Sequence, residues 1–331
     1  MNKRTTCLLL LAGTLFLSAC QKNVDVFVPD PGQINGPDST WYNSISAAMP
    51  VIALQNNLNV QIETVKDSFE ISTASAAIVT TSNGVQCTFP SLCCVNASGV
   101  PVTGKVYLEI LLVKKKGDMV LLNKPTSSNG SMLVTGGEIF IRLFKDGQEV
   151  RIAPNAKIYF RYVDVPIIST MKLFFGDESI PERFNWLPNT DTINNVIVAG
   201  SQAYEIATNH LHWINVDYFY DTTTITRSTV SAQLPSNYTN ANTSVFLVFK
   251  EIRSVLRMNA DVPERRFISG KVPNSKTATI VVLSKQGNDY YLGKESIITG
   301  SNIVSGTINQ RIQISPIKTS LADIKTYLAT L

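Results

Sequence analysis

Glu138-Ile-Phe-Ile-Arg-Leu-Phe-Lys-Asp-Gly-Gln-Glu-Val-Arg-Ile152 is the stretch whose pattern decides the fold class. Ile139, Ile141 and Leu143 recur at period two, which puts their side chains on one face of an extended strand. Asp146-Gly147 offers the left-handed dihedrals of a type I′ turn, and Glu149 to Ile152 returns as the partner strand. On the N-terminal side, Gly104 to Val113 places Val106, Leu108, Ile110 and Leu112 at the same period. Lys114-Lys115-Lys116, with Gly117-Asp118 behind it, reads as a solvated hairpin end before Met119 to Leu122. On the C-terminal side follow Lys157 to Val163, Met171 to Phe175 and a short Phe184-Asn-Trp-Leu187. β-Branched and aromatic residues dominate these runs, and turn residues recur between them, which is the signature of a β-sandwich.

A polar cluster from Gly176 to Asp191 breaks the strand rhythm and suggests a domain boundary, giving residues 46–190 and 191–331. The second half repeats the style at Asn195 to Ala199, His210 to Tyr220, Thr224 to Ala232, Ser244 to Ile252, Ala278 to Ser284 and Ile303 to Ile314. Its end differs. Ser320 with Asp323 three residues on forms a capping box, and Leu321, Ile324, Leu328 and Leu331 make one apolar stripe. A helix this short is marginal alone, so it should dock on the second domain. The expectation is an all-β chain of two β-sandwich-like domains with a short C-terminal helix.

The N-terminus carries an address. Lys3 and Arg4 precede an apolar run from Leu8 to Leu17, too short to span a hydrocarbon core of about 30 Å. The run closes on Leu17-Ser18-Ala19-Cys20, which resembles the bacterial lipobox. That resemblance implies lipidation of Cys20 and removal of residues 1–19, leaving 312 of the 331 residues. Each buried methylene contributes about 0.8 kcal/mol, so two or three acyl chains hold almost irreversibly. Residues 20–45, with Pro29, Pro31, Gly32, Gly36 and Pro37, have no periodic apolar face and read as a tether. Gln21 stands where aspartate would resemble an inner-membrane retention signal, so the expected address is the outer membrane, facing the periplasm or the cell surface. Gln21-Lys22 with Asp25 behind it resembles in part the surface-export signal of Bacteroidetes lipoproteins.

Charge and cysteine usage narrow the class. The net charge of +4 falls to +2 when Lys3 and Arg4 leave, which gives no footprint for nucleic acid. With Cys7 removed and Cys20 lipidated, Cys87, Cys93 and Cys94 remain, an odd number for an oxidising compartment. Cys87 paired with Cys93 or Cys94 would close a small loop, whereas adjacent cysteines must distort the peptide between them to bond.

Few residues invite chemistry. His210 and His212, two positions apart, would share one face of a strand and could chelate a metal, but Asp217 and Asp221 have the opposite parity. These are also the only histidines, no Gly-x-Ser-x-Gly elbow is present, and no catalytic residue is identified. Gly136-Gly137 lacks the third glycine of a phosphate cradle and reads as a bend or bulge, so no cofactor is implied. Trp213-Ile-Asn-Val-Asp-Tyr-Phe-Tyr220 could stack on sugars or fill the core. Scattered carboxylates leave paired glycosidase acids open. Asp38-Ser39-Thr40, Asp191-Thr192-Ile193 and Asp221-Thr222-Thr223 resemble the short O-glycosylation signal of Bacteroidetes.

Gly99-Val-Pro-Val-Thr-Gly-Lys-Val106, Gly117-Asp-Met119, Pro125-Thr126, Gly136-Gly-Glu-Ile-Phe140 and Trp213-Ile-Asn-Val-Asp217 together resemble a pattern of uncharacterised Bacteroidetes outer-membrane lipoproteins. The resemblance implies a β-rich envelope protein and brings no catalytic residue with it. The expected function is non-catalytic binding of an envelope protein or glycan by a lipid-anchored chain. The alternatives are a carboxylate-based glycan hydrolase and a structural component of an outer-membrane assembly.

Overall fold

Strand pairing, rather than the break in sequence rhythm, divides the molecule. The computed structural model describes residues 39–331 except 73–74, 181–182, 201, 222–225, 302 and 304–308. The expected signal segment, Cys20 and the expected tether up to Asp38 lie outside the described residues. The chain begins with α1 (Pro50–Asn59), β1 (Val65–Ile71), β2 (Ala77–Thr80), β3 (Gln86–Phe89), β4 (Cys94–Val95) and β5 (Gly104–Val113). After α2 (Lys116–Leu121) come β6 (Ser127–Ser128), β7 (Ser131–Lys145), β8 (Gln148–Glu149), β9 (Arg151–Ile152) and β10 (Ile158–Val163). Next are β11 (Lys172–Asp177), β12 (Asn185–Pro188), β13 (Asn195–Ala199), β14 (Ala203–Thr208) and β15 (His212–Phe219). The remainder holds β16 (Arg227–Gln233), β17 (Thr243–Phe249), β18 (Val255–Arg257), β19 (Asn259–Asp261), β20 (Arg266–Ile268) and β21 (Val272–Pro273). β22 (Thr277–Gln286), β23 (Asp289–Ile298), β24 (Asn309–Gln313), β25 (Ile317–Thr319) and α3 (Leu321–Leu328) complete it.

Two sandwiches result, as the alternating pattern requires. In the first, a sheet ordered β1-β5-β7-β15-β11-β12 faces a sheet ordered β13-β14-β10-β3-β2. Ile139, Ile141 and Leu143 of β7 point into the core between them and meet Phe89, Ile158, Phe160 and Ile206. The expected hairpin is present, with Asp146 at φ 51° and Gly147 at φ 76°. Gly137, at φ 142°, sits where the β7–β15 register slips between Val216 and Asp217, so the glycine pair is the expected bulge. In the second sandwich, β18-β17-β22-β23-β25 faces β19-β20-β16-β21, with β24 parallel to β16. Val245, Leu247 and Phe249 of β17 fill that core with Ile280 and Val282 of β22.

A third apolar cluster joins the sandwiches, and it explains why β17 is buried along its whole length. Phe246 and Val248 of β17 and Val281 and Leu283 of β22 point away from their own core. They meet Phe174, Trp186 and Trp213 from the first sandwich, Leu54 and Leu58 of α1, Met119 to Leu121 of α2, and Ile324 and Leu328 of α3. Ser39–Leu331 is therefore one compact unit.

Four expectations change. The boundary expected between residues 190 and 191 moves past Phe219, because β14 pairs with β10, β13 with β14, and β15 with β7 and β11 of the first sandwich. Met119 to Leu122 is helical up to Leu121, with Lys116 opening the helix instead of a hairpin end; its unbroken apolar run is buried by helices on several sides. Of the tether expected over residues 20–45, the part from Trp41 belongs to the folded body, since Trp41 packs on the second core and its ring lies 5.0 Å from Phe267. The C-terminal helix carries the expected Ser320–Asp323 capping box, but it docks on the shared cluster, not on the second sandwich alone. A Cβ on Gly117 of α2 would lie 1.8 Å from the Leu328 carbonyl oxygen, so only glycine permits that approach.

Candidate functional site

A cleft of about 710 Å³ opens where edge strands of three sheets converge. β12 ends one sheet, β18 a second and β19 a third, and Asn185, Arg257, Asn259 and Ala260 from those strands line the opening. Their convergence follows from the short stretch between β18 and β19, which passes the chain from one sheet of the second sandwich to the other. Met258 amide still donates to Val245 carbonyl of β17 at 2.8 Å, and beyond it β19 pairs with β20. The segment after Ser39 makes another wall. Tyr42 amide donates to Asn240 Oδ1 at 3.0 Å, and Asn240 Nδ2 donates back to Tyr42 carbonyl at 2.6 Å.

Amides and hydroxyls dominate the polar part of this lining, including Asn43, Asn129, Asn185, Asn259 and Ser127. Asn129 and Asn185 brace each other, amide to carbonyl in both directions, at 2.8 and 3.0 Å. Phe184 supplies an aromatic face, fixed by the Lys124 ammonium 4.0 Å from its ring centroid and by Trp186 edge-on at 4.7 Å. Arg183 is exposed at the rim, and Arg257 donates to Asn123 Oδ1 at 3.3 Å. Among the described residues, Asp177 is the one carboxylate in the lining, and hydrogen bonds from Ser179 hold it below the usual carboxylate range. Such a surface can hydrogen-bond a polar, extended ligand and stack on an apolar face of it.

Two groups of charge lie close by. A smaller pocket of about 310 Å³ is lined by Phe140, Trp213, Lys124, Arg142, Glu178 and His212, among others. Lys124 pairs with Glu178 at 2.6 Å, and burial lowers its pKa. On the face of β7 and β15 that looks toward the second sandwich, Glu138 and Asp217 are both fully buried. Neither Glu138 oxygen, nor Asp217 Oδ1, has a hydrogen-bond partner among the described residues. Burial raises Glu138 well above the usual range, with the Asp217 charge adding to it and Lys124 opposing. Burial pushes Asp217 up to about 8, against hydrogen bonds from Thr135 and Asn215 and the charge of Arg253. Arg253 crosses from the second sandwich to Asp164 of the first at 2.9 Å, and Lys114 meets the same carboxylate at 2.7 Å.

The residues singled out from sequence are placed apart from the cleft. His210 stacks on Phe175 with centroids 4.0 Å apart, and burial lowers its pKa. His212, at φ 67°, pairs through Nε2 with Glu149 Oε1 at 2.9 Å. The two imidazoles thus have separate partners, and no group of three metal-ligating side chains occurs among the described residues. Cys87, Cys93 and Cys94 are buried and free in this structure. Of the aromatic strand, Trp213 joins the shared cluster, Tyr218 and Tyr220 pack on the two sandwich cores, and Phe219 is exposed. It is core more than platform. Sequence reasoning missed the cleft residues because they lie between Tyr42 and Gly270 without a shared motif. Searches of family models, of curated proteins and of solved structures found no match to this chain.

Proposed function

We propose that this chain is a lipid-anchored envelope protein that binds a protein or glycan partner without transforming it, in the cleft between its sandwiches. The observation that carries the reading is the lining: amides, hydroxyls and an aromatic face on rigid strand ends, with Asp177 as the single carboxylate among the described residues. Hydrolysis of a glycan by the two-acid route needs a second carboxylate facing the first, several Å away. Glu138 and Asp217 are two acids near one another in the fold, but both are sealed from solvent and neither lines the cleft. The lipobox-like Leu17-Ser18-Ala19-Cys20 supports anchoring through Cys20 to the outer membrane. No cofactor enters this reading.

Two measurements test it. Metabolic labelling with a palmitate analogue should mark the wild-type chain and miss Cys20→Ala, with equal labelling of both counting against the anchor. Incubation of the full chain with a panel of envelope glycans and peptides should retain a ligand whose mass is unchanged. Cleavage that vanishes on replacing one Asp or Glu would establish the hydrolase instead.

A further inference from the structure

Cys93 and Cys94, set aside in sequence because neighbours bond only at the cost of a distorted peptide, are the two thiols that the fold brings together. Their Sγ atoms lie 3.7 Å apart, and both side chains are fully buried. Cys87 is held elsewhere. It sits inside β3, paired on one edge with Val79 of β2 and on the other with Phe160 of β10. No contact within sulfur hydrogen-bond range joins its Sγ to either neighbour among the described residues. Burial pushes its thiol up to about 12, as befits an inert core cysteine.

The backbone at the pair is poised for a tight ring. Cys93 amide donates to Pro90 carbonyl at 3.3 Å, and Leu92 before it is left-handed at φ 52°. β4 is two residues long, so no extended ladder clamps the Cys93–Cys94 peptide; the Ala153 amide, 2.8 Å from Cys93 carbonyl, is its one backbone donor. The two sulfurs are in hydrogen-bond contact, and either can be the donor.

We propose that Cys93 and Cys94 form a vicinal disulfide site, closed by thiol–disulfide exchange, while Cys87 stays a free core thiol. The thiolate of one of the pair attacks one sulfur of a donor disulfide and expels the other as a thiol. The thiolate of its neighbour then attacks that cysteine's Sγ in the mixed disulfide and expels the second donor thiol. The cysteine pair loses two protons and two electrons, and the donor disulfide gains them. Adjacent Cα atoms stand about 3.8 Å apart, short of the usual disulfide range, so the ring is strained and readily reduced again. The site is a reversible one.

Refolding the full chain in oxidised glutathione, capping free thiols with iodoacetamide and digesting with trypsin tests this. All three cysteines fall in one peptide, Asp67 to Lys105. The wild-type peptide should carry one cap and lack two hydrogens. Cys87→Ala should carry no cap and still lack two hydrogens, whereas Cys93→Ser should carry two caps and lack none. Three caps in the wild type, a glutathione adduct in place of the internal bond, or hydrogen loss that survives in Cys93→Ser would each overturn the proposal.

Discussion

At the scale of single residues, Asp217 has the clearest solution signature. Its carboxyl is pushed up to about 8 in the folded chain, against 3.8 for an ordinary aspartate. Between those pH values the folded state holds a proton that the unfolded state has released. Its stabilising contribution is therefore complete below about pH 4 and is lost as pH rises through 8. The gap sets a ceiling of about 6 kcal/mol on the effect. Asp177 and Asp323, whose pKa values are lowered by hydrogen bonds, act in the opposite sense at acid pH. Urea titrations across pH 4–8 should show Asp217→Asn losing stability less steeply than wild type and overtaking it near pH 8. Identical slopes would show that Asp217 does not keep its proton. The bulge beside this residue was legible, since Gly136-Gly137 interrupts an alternating strand. The buried acids were not, because Glu138 follows the glycines like any solvent-facing strand residue, and what covers it comes from distant segments.

At the scale of elements, α2 and α3 depend on each other through Gly117. A side chain at that position meets the Leu328 carbonyl at 1.8 Å from its Cβ, so Gly117→Val should cost about 1–3 kcal/mol by forcing the helices apart. Ser320→Ala removes the acceptor for Asp323 amide, 3.1 Å away, and should cost about 1 kcal/mol. Both are read as lower urea midpoints at unchanged slope, and an unshifted midpoint in either would contradict the helix packing described above. The capped C-terminal helix and the Asp146-Gly147 hairpin could be read locally because cap, turn and period lie within a few residues of one another. α2 could not. Met119 to Leu122 is apolar throughout, and a run buried on several sides has no period that separates helix from strand. α1 left a signal that went unread: Pro50 at its start, then Val51, Leu54 and Leu58 on one face.

At the scale of the whole molecule, the shared apolar cluster makes two sandwiches one cooperative body. Leu328→Ala should cost about 2–5 kcal/mol, and hydrogen exchange should quicken alike in β7 of the first sandwich and β22 of the second. Acceleration confined to one sandwich would mean that they unfold separately. The sandwich class was visible from the alternation, but the partition was not, because pairing of β15 with β7 joins residues about 80 positions apart and leaves no local mark. The cleft is a product of that same long-range assembly. Binding there is tested most directly by filling it. Full-length chain carrying Asn259→Trp, which places an indole in the opening, should lose retention of the glycan or peptide that wild type retains in the panel. Tyr107→Ala, at an exposed position of β5 that does not line the cleft, should retain it as wild type does. Undiminished retention by Asn259→Trp, with its urea midpoint unchanged, would contradict the assignment of the cleft as the binding site.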